Sequence, residues 1–139
     1  SRSCATFAAT RSSSIAELPQ PPRPAPIVVA MGDPAGVGPE VTAKAWDSRV
    51  ERALPPFVAV GDVRAVQRVW NGPVAPVADL SQAADLFDLA LPVLTVEDAG
   101  EITPGSPDME GARCALTSLE MAAGLAREGA ARALVTGPV

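Results

Sequence analysis

Apolar positions in this chain come in short unbroken runs set between proline- and glycine-rich breaks, and the longer polar stretches repeat at helical spacing. Ile27-Val28-Val29-Ala30-Met31, Phe57-Val58-Ala59-Val60 and Arg132-Ala133-Leu134-Val135-Thr136 are nearly continuous, the pattern of strands buried on both faces of a parallel sheet. Val74 to Val77 suits a further short strand. Leu91 to Val96 suits another, with Pro92 near its start, where it costs no ladder bond if the strand is an edge. Between the runs lie helices. One opens at Pro39 and stops before Pro55-Pro56; a second is capped by Asp62 and carries Val63, Val66 and Trp70 on one side, Trp70 acting as a core plug, before Asn71-Gly72-Pro73 ends it. Asp79 to Leu89 has mixed period and reads as a loop with a helical turn. The longest helix is expected after Ser106 as cap and Pro107 in the first turn. Asp108 and Glu110 favour its dipole, Ala112, Ala115, Leu116, Leu119, Ala122, Ala123 and Ala126 form its packing stripe, and Gly129 closes it. Strands alternating with helices predict an α/β fold with an open, mostly parallel sheet flanked by helices.

Composition narrows the class. A chain of 139 residues, 47% hydrophobic, suits one domain with one core. The net charge of −5 without basic clusters argues against nucleic acid or an anionic membrane surface as partner. No apolar run reaches the ~18 residues a spanning helix needs, so a soluble, cytoplasmic protein is expected. Residues 1–26 read as a disordered leader: Arg2, Arg11 and many Ser and Ala without an acid in the first stretch, then Pro19-Gln20-Pro21-Pro22-Arg23-Pro24. That composition also fits a transit peptide, a linker or a mis-called start. Cys4 and Cys114 give neither metal spacing nor a disulfide framework, and Cys114 is expected in the core. With no histidine in the chain, no Ser-His-Asp triad, Cys-His pair or His-ligated metal can be assembled from it.

The chemistry-bearing stretch is Gly32-Asp33-Pro34-Ala35-Gly36-Val37-Gly38-Pro39-Glu40, between the first strand and the first helix. Gly36 and Gly38 are free to take positive φ and admit close approach to the backbone, and Pro39 sits where a first helical residue has no amide to lose. The open helix N-terminus suits an anionic ligand or a carboxylate, which Glu40 partly supplies. The alternative is a βα turn shaped for packing alone, with Asp33 fixing the turn. The glycines do not follow G-x-G-x-x-G, Asp62 lies too far along for the ribose-binding acid of a dinucleotide fold, and Gly38 is not followed by Lys-Ser/Thr, so neither an ordinary Rossmann turn nor a P-loop is present.

Met31 to Glu40 resembles the N-terminal signature of the 4-hydroxythreonine-4-phosphate dehydrogenase family, and is similar to the Gly-Asp-Gly-Ile-Gly-Pro-Glu turn of isopropylmalate and isocitrate dehydrogenases. Ile102-Thr103-Pro104-Gly105, Glu110-Gly111-Ala112-Arg113 and Ala133-Leu134-Val135-Thr136-Gly137-Pro138-Val139 resemble later stretches of that family in the same order. The resemblance covers residues 27–139 and implies the N-terminal part of an isopropylmalate dehydrogenase-like domain, with the second domain missing from the chain. It implies an intact parent that is an NAD-dependent homodimer. With a divalent metal (zinc, magnesium or cobalt), the parent oxidises and decarboxylates 4-hydroxythreonine 4-phosphate or a related hydroxy-acid phosphate in pyridoxal phosphate synthesis. Members continue after Thr-Gly-Pro with a basic residue, a His-Thr substrate contact and three metal-binding histidines, none of which this chain has. Catalytic and metal residues are therefore expected to be absent here, and Gly32, Asp33, Gly36, Gly38, Thr136 and Gly137 to border the substrate or cofactor crevice. The competing readings are a stand-alone α/β module that binds an anionic small molecule, and a truncated product without stable function.

Overall fold

The structure, a computed structural model, describes residues 19, 21, 23–96 and 100–138. Most of the leader expected at 1–26 therefore lies outside the described residues. Near its end the Pro26 carbonyl accepts from Arg132 N at 3.1 Å and Arg23 pairs with Asp85.

Among the described residues five strands form one sheet: β1 (Ile27–Ala30), β2 (Phe57–Gly61), β3 (Val74–Val77), β4 (Leu91–Thr95) and β5 (Ala133–Thr136). All are parallel, in the order β3-β4-β2-β1-β5. The helices are α1 (Gly38–Asp47), α2 (Val63–Val69), the single turn α3 (Ala83–Leu86) preceded by a 3-10 turn at Leu80–Gln82, and α4 (Met109–Arg127). The continuous apolar runs have the expected cause, since every residue of β2 is buried between two helical layers. One core joins Val28, Ala30, Val58, Val60 and Leu94 to Cys114 and Ala122 of α4; the other joins Phe57, Ala59 and Val93 to Ala43, Trp46 and Val66 of α1 and α2. Each valine, leucine or phenylalanine buried there contributes about 1.5–3 kcal/mol over its exposed state.

Trp46 is the anchor of the second core. It is buried, its indole N–H donates to the Phe87 carbonyl at 2.8 Å, Trp70 meets it edge-on at 5.5 Å, and the Arg49 guanidinium lies 3.5 Å from its ring centroid. Trp70 itself is half-buried at the end of α2.

Several expectations change. Pro92 is not on an edge strand, because β4 lies between β3 and β2. Leu91 N donates to Pro73 O on the β3 side, so the next amide would face β2, whose pairing with β4 begins only at Val93. Pro92 thus loses no ladder bond despite the interior position. The cap of α4 is Asp108, whose Oδ1 accepts from Gly111 N at 2.7 Å, rather than Ser106, which is held in a turn by its own amide bond to Thr103 O. The buried stripe of α4 is Gly111, Cys114, Ala115, Ser118 and Ala122, while Ala112 is exposed and Leu116 is 57% exposed. The stripe is rotated by about one position because Ser118 tolerates burial by donating to the Cys114 carbonyl at 2.8 Å. β5, expected to be buried, is an edge strand and mostly exposed. Asp62 caps α2 as expected, accepting from Arg64 N at 2.9 Å, and Cys114 is buried.

Candidate functional site at the carboxyl ends of β1 and β5

Strand order reverses at the β1–β5 pair: β1 leads outward to β2, whereas β5 is reached from β4 across the opposite face. Crevices in open α/β sheets form beyond the carboxyl ends of strands at such a point. Here the turns after the two strands interlock. Gly137 N donates to the Ala30 carbonyl at 2.7 Å. Gly32 has φ +81°, and a β-carbon on it would lie 2.1 Å from the Pro138 carbonyl oxygen, so only glycine serves there. The positive φ expected at Gly36 and Gly38 falls on Gly32 instead. Gly38 is required for a different reason, since its missing β-carbon would sit 1.7 Å from the Met31 carbonyl oxygen.

Asp33 fixes the turn. Its Oδ1 accepts from Ala35 N at 2.8 Å and its carbonyl accepts from Gly36 N at 2.9 Å. The same carboxylate abuts the first turn of α4, where a β-carbon on Gly111 would come within 2.9 Å of Asp33 Oδ1. The loop before α4 closes from the other side, Gly105 N donating to the Ala35 carbonyl at 2.8 Å. Three stretches far apart in the sequence therefore meet around one cleft of about 350 Å³, lined by Asp33, Ala35, Gly36, Val37, Gly105, Pro107 and Pro138. α1 opens beside it, with Val37 offering no side-chain cap and Glu40 turned to Lys44 at 2.6 Å.

The six residues expected at the crevice divide between two cavities. Asp33 and Gly36 line the cleft, whereas Gly38, Thr136 and Gly137 line a separate apolar trough of about 380 Å³ on the sheet face, and Gly32 holds the two turns together. Sequence reasoning did not single out Asp108 or Gly105 for the site. The signal for Asp108 was its spacing of three from Gly111, the usual reach of a capping carboxylate.

Behind the cleft, Asp62 ends β2 and is buried, with Arg64 Nη2 3.5 Å from its Oδ2. Its carboxylate caps α2 and pairs with Arg64. Burial pushes the Cys114 thiol up, and the negative charges of Asp62 and Asp33 push it the same way. Among the described residues no three His, Cys, Asp or Glu side chains converge to hold a metal, and no helix is long and apolar enough to cross a membrane.

The chain is 43% identical over 114 residues to a protein of Zymomonas mobilis named 4-hydroxythreonine-4-phosphate dehydrogenase, and 45% identical over 120 residues to one of the same name from Xanthobacter autotrophicus. Over most of its length the chain is thus similar to 4-hydroxythreonine-4-phosphate dehydrogenases. These matches cover 82% and 84% of this chain but 34% of each relative, so the chain spans about a third of the length of the family members it matches. A solved 4-hydroxythreonine-4-phosphate dehydrogenase from Klebsiella pneumoniae superposes with a TM-score of 0.68 at 25% identity, over 82% of this chain and 37% of that one. A solved terephthalate 1,2-cis-dihydrodiol dehydrogenase from Burkholderia xenovorans shares the fold, with a TM-score of 0.60 at 24% identity over 81% of this chain and 33% of that one. No family model matches the chain.

Proposed function

We propose that this chain is the N-terminal part, residues 27–139, of a cytoplasmic, homodimeric, NAD-dependent and metal-assisted dehydrogenase acting on 4-hydroxythreonine 4-phosphate or a related hydroxy-acid phosphate. The observation that carries the reading is the 43–45% identity to proteins of that name. In this reading the chain supplies one wall of the crevice. Asp33 holds the turn, Gly36 leaves the cleft open, Gly32 and Gly38 let the backbones cross, and Thr136 and Gly137 border the substrate.

The residues present do not by themselves fit either cofactor. A divalent metal needs several convergent donors, and the chain has no histidine and no such cluster among its described residues. A dinucleotide needs cationic or amide partners for its diphosphate, whereas the single charged side chain lining the cleft is the Asp33 carboxylate. That same lining disfavours the alternative of a free-standing module for small anions, since a carboxylate in the lining repels them. Turnover in this reading requires groups from outside this chain.

Two assays test the proposal. The 139-residue chain with 4-hydroxythreonine 4-phosphate, NAD and zinc or magnesium is expected to yield no reduced cofactor; metal-dependent turnover would overturn the one-wall reading. A chimera in which this chain replaces the matching third of the Xanthobacter autotrophicus relative is expected to reduce NAD with that substrate. A folded chimera without turnover would remove the functional assignment.

A further inference from the structure

The segment that leads into α4 reaches the cleft as a preformed turn. Within Thr103-Pro104-Gly105-Ser106, Ser106 N donates to the Thr103 carbonyl at 3.0 Å and Gly105 has φ +80°. Proline in the second place and a left-handed glycine in the third are what a type II turn requires. Apart from its chain neighbours, no heavy atom lies within 4 Å of a β-carbon built on Gly105, so this glycine serves the backbone conformation and not packing. The turn closes through Ser106 N, and the Gly105 amide is left to bond elsewhere. It donates to the Ala35 carbonyl at 2.8 Å, across the cleft.

The turn hangs between two fixed points. In front of it Ile102 is buried in the core under α4, and the Gly100 carbonyl accepts from Arg64 Nη2 at 3.0 Å. Behind it Asp108 Oδ1 accepts from Gly111 N at 2.7 Å and caps α4. Residues 103–108 between these anchors are all exposed. Among the described residues one backbone hydrogen bond, Gly105 to Ala35, joins this segment to the opposite wall at Asp33 to Val37. A segment with few buried contacts opens at a lower free energy than the core it is attached to. The acceptor of the bond is aimed by Asp33. The peptide that carries the Ala35 carbonyl also carries Gly36 N, which donates to the Asp33 carbonyl at 2.9 Å, and the preceding amide, Ala35 N, donates to Asp33 Oδ1 at 2.8 Å.

We propose that Thr103–Pro107 is a hinged flap over the cleft, which swings as one rigid turn between its two anchors, with the Gly105–Ala35 hydrogen bond as its latch and Asp33 as the residue that sets the latch. On opening, water takes up both the Gly105 amide and the Ala35 carbonyl, so the break exchanges one hydrogen bond for others and the turn itself stays closed. Gly105 and Pro107 are the two residues the flap contributes to the lining, so its position sets the width of the cleft. The inference concerns this motion and not the reaction. Its readout is amide exchange rather than turnover, so it stands or falls separately from the assigned activity.

The test is residue-resolved amide hydrogen exchange on the full 139-residue chain, at a series of denaturant concentrations below the unfolding transition. The Gly105 amide is expected to exchange through a local opening whose rate is insensitive to denaturant, while the buried amides of β2 exchange with the full denaturant dependence of unfolding. The Ser106 amide, bonded inside the turn, should keep more protection relative to its intrinsic rate than Gly105 does. Asp33→Ala should speed Gly105 exchange by about threefold or more and leave Ser106 unchanged, whereas Asp33→Asn, which retains an acceptor for Ala35 N, should restore most of the protection. The proposal is overturned if Gly105 exchanges with the denaturant dependence of β2, which would make the segment part of the core. It is also overturned if Gly105 and Ser106 lose protection together, or if Asp33→Ala leaves Gly105 exchange as it was. Should Asp33→Ala fail to fold, the denaturant series on the parent sequence decides.

Discussion

The carbonyl oxygen of Met31 occupies the space that a β-carbon on Gly38 would fill, 1.7 Å away. Both atoms belong to backbone that is pinned, Met31 by its amide bond to Val60 O and Gly38 by its place at the start of α1. Gly38→Ala should therefore destabilise the chain by about 2 kcal/mol or more. Gly124, in the interior of α4 with no atom within 4 Å of a β-carbon placed on it, is the matched control. Gly124→Ala should stabilise by roughly 0.5–1 kcal/mol through helix propensity alone. Denaturant midpoints of the two variants check both signs, and a neutral Gly38→Ala would contradict the close crossing of the two segments.

Asp33 and Asp108 approach the same glycine from two sides, which couples the turn after β1 to the start of α4. Asp33→Ala removes the acceptor for Ala35 N and should cost about 1 kcal/mol; Asp33→Asn keeps an acceptor and should cost less. Asp108→Ala removes the cap on Gly111 N and should also cost about 1 kcal/mol. Because both carboxylates lie within reach of Gly111, the double variant should be non-additive by roughly 0.5 kcal/mol or more. Strict additivity in a double-mutant cycle would show that turn and helix are independent.

The sequence revealed those features that depend on a residue and its near neighbours. Asp62 before Val63 is a cap wherever the helix lies, and the unbroken run Phe57–Val60 could only be a strand covered on both faces. What depends on strand order was not visible. Pro92 is harmless in an interior strand because pairing with β2 starts one residue later, which requires knowing that β4 sits beside β2. β5 has the same apolar composition as β2 yet is exposed, because edge position is a property of the sheet and not of the strand. The α4 stripe shifted for a related reason. Alanines occur on several sides of that helix, and the choice of buried side rested on Ser118 and Gly111, residues that hydropathy alone assigns to the surface. The four motifs were visible as a set, but only the fold shows that Asp33 and Gly36 face one cavity while Gly38 and Thr136 face another.

Cys114 makes stability depend on pH at the alkaline end. Burial, together with the charges of Asp62 and Asp33, raises the thiol in the folded chain above its ordinary value in an unfolded one. The folded state therefore keeps its proton while the unfolded state releases it. The contribution is fully present below that unfolded value and is lost as pH rises from there through the higher folded value. Cys114→Ala should remove this part of the alkaline decline, measured by denaturant melts across the range. In a Cys4→Ser background the remaining thiol should react with a disulfide reagent only as fast as the chain opens. Rapid modification of the native chain would show that Cys114 is accessible.

The final prediction concerns association and follows from two uncovered surfaces that meet at β5. On its outer side the strand Ala133–Thr136 is the last of the sheet among the described residues, so no described strand pairs with that edge, and its residues are mostly exposed. On its face it borders the apolar trough with Val41. An unpaired edge is a template for further strands, and an uncovered apolar face adds a drive that has no geometric preference. The exposed side of α4 contributes Met109 at 79% and Leu116 at 57% exposure. Surfaces of this kind do not define one closed symmetry, so the isolated chain should form a range of oligomers that grows with concentration rather than a discrete dimer. Light scattering across a concentration series is the measurement. Val135→Lys should reduce the association by placing a charge on the edge strand, the device by which natural edges are protected. A monodisperse monomer with a single cooperative melt would show instead that these residues close their own core, and would revive the reading of the chain as a self-sufficient α/β module.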